Sequence, residues 1–192
     1  MTPPFINKLE PFVTHCLLDG AKLGKRLPEA MNFQTEINSL YRNIGKEDIE
    51  AVGPFLSKVN SDMFKWFSEN GWGASWGVLI SSQATFGEIY RHFRHFLIIK
   101  TEEGKKLYFR FYDPRVLRVF LPTCTIQQLN EFFGPIDYYI CEDENPSEAL
   151  IFSLAHDQLN TRAVDLTEDE MLNIAELKQR ESVKKESNNV IV

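Results

Sequence analysis

The aromatic residues of this chain are confined to its first 156 positions, and no Phe, Tyr or Trp follows up to residue 192. Aromatic side chains bury large apolar areas and dominate packed cores. The stretch 1–156 is therefore predicted to form one packed domain, and 157–192 an acidic, solvated C-terminal extension. In that extension Thr167 and Glu170 match a capping box, so we expect it to contain one helix.

The overall composition narrows the class of protein. Hydrophobic residues make up 43% of the chain, which is too many for a disordered protein. The formal net charge of −6 argues against nucleic-acid binding, since that requires a basic surface to displace counterions from phosphates. The sequence shows no apolar run of about 18 residues, and Met1–Glu10 does not resemble a signal peptide. We therefore expect a cytoplasmic protein that does not bind membranes.

Short strands and short helices alternate along the chain without a regular βαβ repeat. Amphipathic spacing predicts helices at 61–70, 85–95, 113–121 and 125–133. Ser61 is the predicted N-cap of the first helix, and Thr125 with Gln128 matches a capping box at the start of the last. This irregular order predicts a mixed α/β or α+β fold with a central β-sheet and flanking helices. Apolar or alternating runs predict the sheet strands: Phe12–Leu18, Glu36–Tyr41, Gly77–Ser82, Ile136–Cys141 and Ala149–Leu154.

A β-hairpin is predicted between Leu97 and Tyr112. Leu97–Lys100 is apolar, Glu103–Gly104 signals a turn, and Leu107–Tyr112 alternates. Alternating residues of a strand point to opposite faces of its sheet. One face of the second strand is therefore predicted to carry Leu107, Phe109 and Phe111, and the other Tyr108, Arg110 and Tyr112.

Three side chains on the predicted helix 85–95 could ligate a metal ion. Glu88, His92 and His95 fall on one face of the helix, and a carboxylate with two imidazoles is a plausible ligand set. This face lies opposite the apolar stripe and has no fourth ligand nearby in sequence. A solvated polar surface is the preferred interpretation, and a metal-dependent hydrolase that uses this face is kept as an alternative.

No other pattern predicts catalysis. His15 and His156 stand among apolar residues and are interpreted as hydrogen-bonded core histidines. The glycine-rich segment Gly71–Gly77 lacks the lysine and the spacing of a phosphate-binding loop, so it is interpreted as a turn whose tryptophans cover the core or offer a contact surface. We predict no catalytic residues, no metal ligands and no cofactor. The cysteines lack a CxxC spacing and are expected to be reduced core thiols: Cys16, Cys124 and Cys141.

The segment Arg110–Arg115, with the sequence Arg-Phe-Tyr-Asp-Pro-Arg, carries the most unusual combination of residues. The guanidinium of Arg110 stands between two tyrosines and can stack on an aromatic ring. Asp113 can cap the helix that Pro114 begins, and its carboxylate can also accept an arginine bidentately. The corner formed by Arg110, Tyr112, Asp113 and Arg115 is either an anchor for a partner or an internal ion pair that holds the strand, turn and helix together.

The stretch Arg110–Leu117 resembles the type VI secretion effector adaptor, or chaperone, family, once known only as a domain of unknown function. Five further segments resemble that family's pattern and follow in its order. The resemblance extends over about residues 12–155 of this sequence. The five segments are Leu17–Ala21, Val52–Leu56, Trp76–Leu79, the helix with His92–His95, and Phe132–Ile136.

The resemblance implies a bacterial, non-enzymatic adaptor whose domain is residues 1–156. Such a protein would bind a cognate toxin effector in the cytoplasm and assist its loading onto the VgrG spike. Arg110, Asp113 and Arg115 would organise the corner, and the helix after Thr167 is predicted to contribute to partner docking. An immunity-type module that binds and inhibits a toxin is a further alternative to the adaptor.

Overall fold

The computed structural model describes residues 2–33, 35–43, 50, 52–100 and 103–169. In this part of the chain the predicted mixed fold with a central sheet is confirmed. Seven strands form one sheet: β1 His15–Asp19, β2 Ile37–Ser39, β3 Pro54–Lys58, β4 Gly77–Ser81, β7 Tyr138–Glu142, β8 Glu148–Ala155 and β9 Gln158–Asp165. Their order across the sheet is β2-β3-β1-β4-β7-β8-β9, and every neighbouring pair is antiparallel.

Short helices pack on both faces of this sheet, and a separate two-stranded hairpin joins two of them. The hairpin pairs β5, Ile98–Lys100, with β6, Lys106–Tyr108. Short 3-10 turns occupy Ile6–Phe12, Gly24–Arg26 and Leu121–Thr123. The α-helices are α1 Gly20–Leu23, α2 Leu27–Met31, α3 Ser61–Asn70, α4 Phe86–Arg94, α5 Pro114–Phe120 and α6 Ile126–Phe133. Among the described residues, none of the helices combines the length and the apolar character that spanning a bilayer requires.

The central strands are apolar on both sides because each side faces a layer of helices. All five residues of β1 are buried, and neighbouring residues enter different hydrophobic clusters. Leu18 belongs to the cluster that contains Phe64 and Phe67 of α3, whereas Leu17 belongs to the cluster beneath α4, α5 and α6. This three-layer arrangement explains why the central strands are short apolar runs rather than clean alternations.

Polar side chains cap the N-termini of the longer helices. Thr85 with Glu88 and Thr125 with Gln128 form complete capping boxes, so the box predicted at Thr125 is confirmed. The predicted N-cap of α3 is wrong by one residue. The Asn60 side chain accepts a hydrogen bond from the Met63 amide at 2.9 Å, and Ser61 is the first helical residue. Asn and Ser cap about equally well, so spacing alone does not separate them.

The sheet continues beyond the domain boundary predicted at residue 156. Strand β9 pairs with β8 over eight residues, from Glu148 opposite Asp165 to Ala155 opposite Gln158. The absence of aromatic residues after residue 156 does not mark the end of the sheet, because β9 is an edge strand and most of its side chains are exposed. The helix predicted after Thr167 and its role in docking lie outside the described residues, since the description ends at residue 169.

The second strand of the hairpin is shorter than predicted. Pairing with the three residues of β5 ends at Tyr108, and the chain then turns so that the Asp113 amide donates to the Arg110 carbonyl at 3.0 Å. The predicted faces are therefore not formed: Leu107 is 49% exposed, whereas Phe111 is fully buried. Strand β5 begins at Ile98, opposite Tyr108, so the residues that follow Tyr108 leave the ladder and fold into the corner.

Candidate functional site

Two buried carboxylates form the base of the corner, and each caps a helical turn. Asp19 ends β1 and accepts hydrogen bonds from the amides of Ala21 and Lys22 at 3.1 and 3.4 Å. Asp113 precedes α5 and accepts one from the Arg115 amide at 3.1 Å. The two side chains are 1% and 3% exposed. Buried carboxylates require paired charges, and two arginines supply them.

The two arginines approach these carboxylates in different ways. Arg110 Nη2 lies 2.5 Å from Asp19 Oδ2 and 3.7 Å from Asp113 Oδ2, so it bridges both. Arg115 binds Asp113 bidentately, with Nε 3.0 Å from Oδ1 and Nη2 2.7 Å from Oδ2. The arginine side chains are 44% and 54% exposed. Each guanidinium is therefore held on its inner side and open to solvent on the other.

The electrostatics of the corner favour the charged forms. Burial by itself raises the pKa of Asp113, but the hydrogen bonds and charge of Arg115 outweigh it and hold the pKa below its ordinary value. Burial lowers the pKa of Arg110, yet the neighbouring Asp19 raises it overall. The corner thus carries two positive charges on its arginines, and the negative charges of the two buried carboxylates balance them.

A group of tyrosines borders the arginines. Arg110 Cζ lies 5.8 Å from the centroid of the Tyr112 ring, within cation–π range. The Tyr112 ring is buried in the same hydrophobic cluster as Tyr41. Burial is the largest cause that raises the pKa of both tyrosines. Tyr108 packs edge-on against Tyr41 at 5.7 Å and remains 60% exposed.

The structure thus brings together all four residues predicted at the corner: Arg110, Tyr112, Asp113 and Arg115. They form an ion-paired unit within the protein, and direct contact with a partner stays a prediction. Sequence reasoning missed Asp19, which lies 91 residues from Arg110 along the chain. The sequence signal that could have identified Asp19 is that an aspartate, a residue type that caps helices, stands at the end of a buried strand.

The metal-ligand alternative at Glu88, His92 and His95 is not supported, because each side chain binds elsewhere. The Glu88 carboxylate accepts hydrogen bonds from Thr85, which lower its pKa. His92 Nε2 donates to the Phe132 carbonyl at 2.8 Å, and His95 Nδ1 lies 2.7 Å from the Arg91 carbonyl. The described ranges contain no group of three or more His, Cys, Asp or Glu side chains that could hold a metal ion.

His92 also corrects the expectation of a solvated face. Its ring lies 5.1 Å from those of Phe93 and Phe96, and burial lowers its pKa. Of the two predicted core histidines, His15 is buried and contacts Thr14 Oγ1 at 2.8 Å. His156 is exposed at the tip of the β8–β9 turn, with φ of 54°, so that prediction is wrong. The apolar residues before it belong to β8, which ends at that tip.

The cysteines largely match the expectation that they are reduced core thiols. All three are free thiols; Cys16 and Cys141 are buried and Cys124 is half-buried. Burial raises the pKa of each of the three thiols. They are therefore thiols rather than thiolates at neutral pH, and none is activated as a nucleophile.

A buried glutamate orders the loop of Gly71–Gly77. The Glu142 carboxylate accepts hydrogen bonds from the amides of Gly73 and Ser75, the second at 2.9 Å, and burial raises its pKa. Trp72 and Trp76 are both buried, so the loop covers the core as one of the predicted interpretations stated. Sequence reasoning missed Glu142, which lies 67 residues from its Ser75 partner.

The comparison with protein-family models decides where this chain belongs. The model of the domain of unknown function DUF4123 matches residues 15–131, well over half of the chain. The chain is a member of the DUF4123 family. This family is known as the effector adaptor, or chaperone, domain of type VI secretion, which confirms the resemblance. The matched region extends from β1 into α6 and contains the whole corner. No curated protein and no solved structure matched the chain.

Proposed function

We propose that this DUF4123 protein is a non-enzymatic adaptor that binds a cognate toxin effector and assists its loading onto a VgrG spike. The family is associated with type VI effector adaptors, which supports the general class. The observation that carries the proposal is the corner inside the matched region. Two half-exposed guanidiniums are held there by two buried carboxylates, Asp19 and Asp113.

The corner has the properties of a protein-binding anchor. Arginine and tyrosine are, with tryptophan, the residue types enriched at binding hot spots, and Arg115 and Tyr108 are both more than half exposed. Ion pairs to Asp113 and Asp19 already order the arginines, so these side chains lose less conformational entropy when a partner binds them. Each guanidinium has five N–H donors, and the carboxylates engage only some of them.

Affinity purification of the tagged protein from its native cells, followed by mass spectrometry, tests this proposal. We expect recovery of a VgrG protein and of a large toxin encoded nearby. Fragment mapping should then place the bound region outside the toxin's catalytic domain. Recovery of neither protein would overturn the proposal, and capture through the catalytic domain alone would favour an immunity-type module instead.

A further inference from the structure

A second polar surface, which shares no residue with the corner, lies where β2 and the turn after it face α4. An open cleft of about 480 Å³ is formed there. This volume is in the range of clefts that hold small groups or short peptide segments. The turn side of the cleft contributes Asn38, Arg42 and Asn43, and α4 contributes Phe86, Tyr90 and Arg94.

Arg94 is held rigidly in the wall of this cleft. Its Nη1 donates to the carbonyls of Leu40 and Arg42 at 3.1 and 2.7 Å and lies 3.0 Å from the Tyr90 hydroxyl. The Arg94 Cζ also lies 5.5 Å from the centroid of the Tyr90 ring, which places the two groups in cation–π contact. The Tyr90 hydroxyl in turn donates to the Ser39 carbonyl at 2.9 Å. These contacts order a positive charge without neutralising it, because every partner is an uncharged oxygen or a ring.

The cleft carries a local excess of positive charge. Its one acidic residue, Glu36, is ion-paired with Lys58 at 3.0 Å and is therefore already balanced. Among the described residues, no carboxylate pairs with Arg42 or Arg94. This contrasts with a chain whose formal net charge is −6. An acidic ligand is repelled by the protein as a whole, so its binding would report this local site rather than general charge attraction.

We propose that this cleft binds a short carboxylate-bearing segment of a protein partner. A carboxylate would accept hydrogen bonds from Arg42 and Arg94, which form the strongest class of protein hydrogen bond. The Asn38 and Asn43 amides line the same cleft and can donate to the same segment. The inference rests on the proposed adaptor function only in assigning the segment to a partner protein.

Fluorescence anisotropy with fluorescein-labelled hexaglutamate and the full chain tests the inference. We expect binding at 50 mM NaCl, weakened several-fold at 300 mM, and at least tenfold weaker binding of labelled hexaglutamine. Arg42→Ala should weaken hexaglutamate binding at least fivefold. The matched control Arg162→Ala, an equal charge change on β9 at the opposite edge of the sheet, should change it less than twofold.

A steric variant tests the same cleft without changing its charge. Gly87 lines the cleft in the first turn of α4, and a Cβ there would meet only Arg91 Nη1, at 3.6 Å. Gly87→Leu should therefore fold normally and weaken hexaglutamate binding at least fivefold. Absence of hexaglutamate binding, or equal binding by wild type, Arg42→Ala and Gly87→Leu, would overturn the inference. Capture of a VgrG and a toxin in that case would leave the adaptor function standing.

Discussion

Replacing Asp113 with alanine should destabilise the protein by about 2 kcal/mol. The substitution removes the N-cap of α5, which typically contributes about 1 kcal/mol. It also removes the bidentate pair with Arg115, whose contribution we discount to about 1 kcal/mol because that arginine is 54% exposed. Arg110 keeps its shorter contact with Asp19, so no buried positive charge is orphaned.

Urea unfolding at 25 °C and pH 7 measures this change, and it corresponds to a decrease in melting temperature of about 4–8 °C. The control Arg115→Ala leaves the amide cap of Asp113 in place and should cost about 1 kcal/mol or less. A loss below about 0.5 kcal/mol for Asp113→Ala, with an unchanged denaturant slope, would refute the reasoning that the corner stabilises this fold.

The effect of Asp113 should also depend on pH with a definite sign. Its folded-state pKa is below the ordinary value, because Arg115 outweighs the effect of burial. Stability from this group is therefore fully present above the ordinary aspartate pKa and is lost as the pH falls through the lower folded-state value. The stability difference between wild type and Asp113→Asn should be constant from pH 8 to 5 and should shrink below about pH 4. A difference that grows below pH 4 would contradict this assignment.

Two further perturbations test other parts of the structure. Gly77→Ala should lower the free energy of unfolding in urea by about 3 kcal/mol or more, because its Cβ would lie 1.9 Å from the Leu17 carbonyl oxygen. The control Gly87→Ala should be neutral or stabilising. Equal free energies of unfolding for the two variants would contradict the close pairing of β4 with β1. Burial lowers the pKa of His15 to about 4 from 6.5, so the unfolded state takes up a proton first as the pH falls. Wild type should therefore lose about 2 kcal/mol between pH 7.5 and 5 that His15→Phe does not lose, and parallel pH profiles would refute this.

Local sequence patterns predicted most of the elements, because caps and hydrophobic periodicity act over a few residues. The Thr125 capping box, the β7 and β8 strands and the Asp113–Pro114 helix start are all formed by neighbours in sequence. The same reason explains why the four corner residues were found together: they lie within six positions of each other.

Interactions between distant parts of the chain could not be predicted in this way. The pairing of Arg110 with Asp19 and of Glu142 with Ser75 depends on which strands become neighbours in the sheet. Strand β9 was missed because an edge strand needs few apolar residues, and backbone pairing with β8 forms without a hydrophobic pattern. The basic cleft likewise combines residues from β2, its following turn and α4.

We expect the corner arginines to contact a protein partner. Calorimetric titration of the captured effector fragment against wild type, Arg115→Ala and Arg162→Ala measures that contact. Arg115→Ala should weaken binding at least tenfold, while Arg162→Ala, on the edge strand β9, should stay within twofold of wild type. Equal affinity of all three folded proteins would exclude this contact and would leave the corner with a structural role alone.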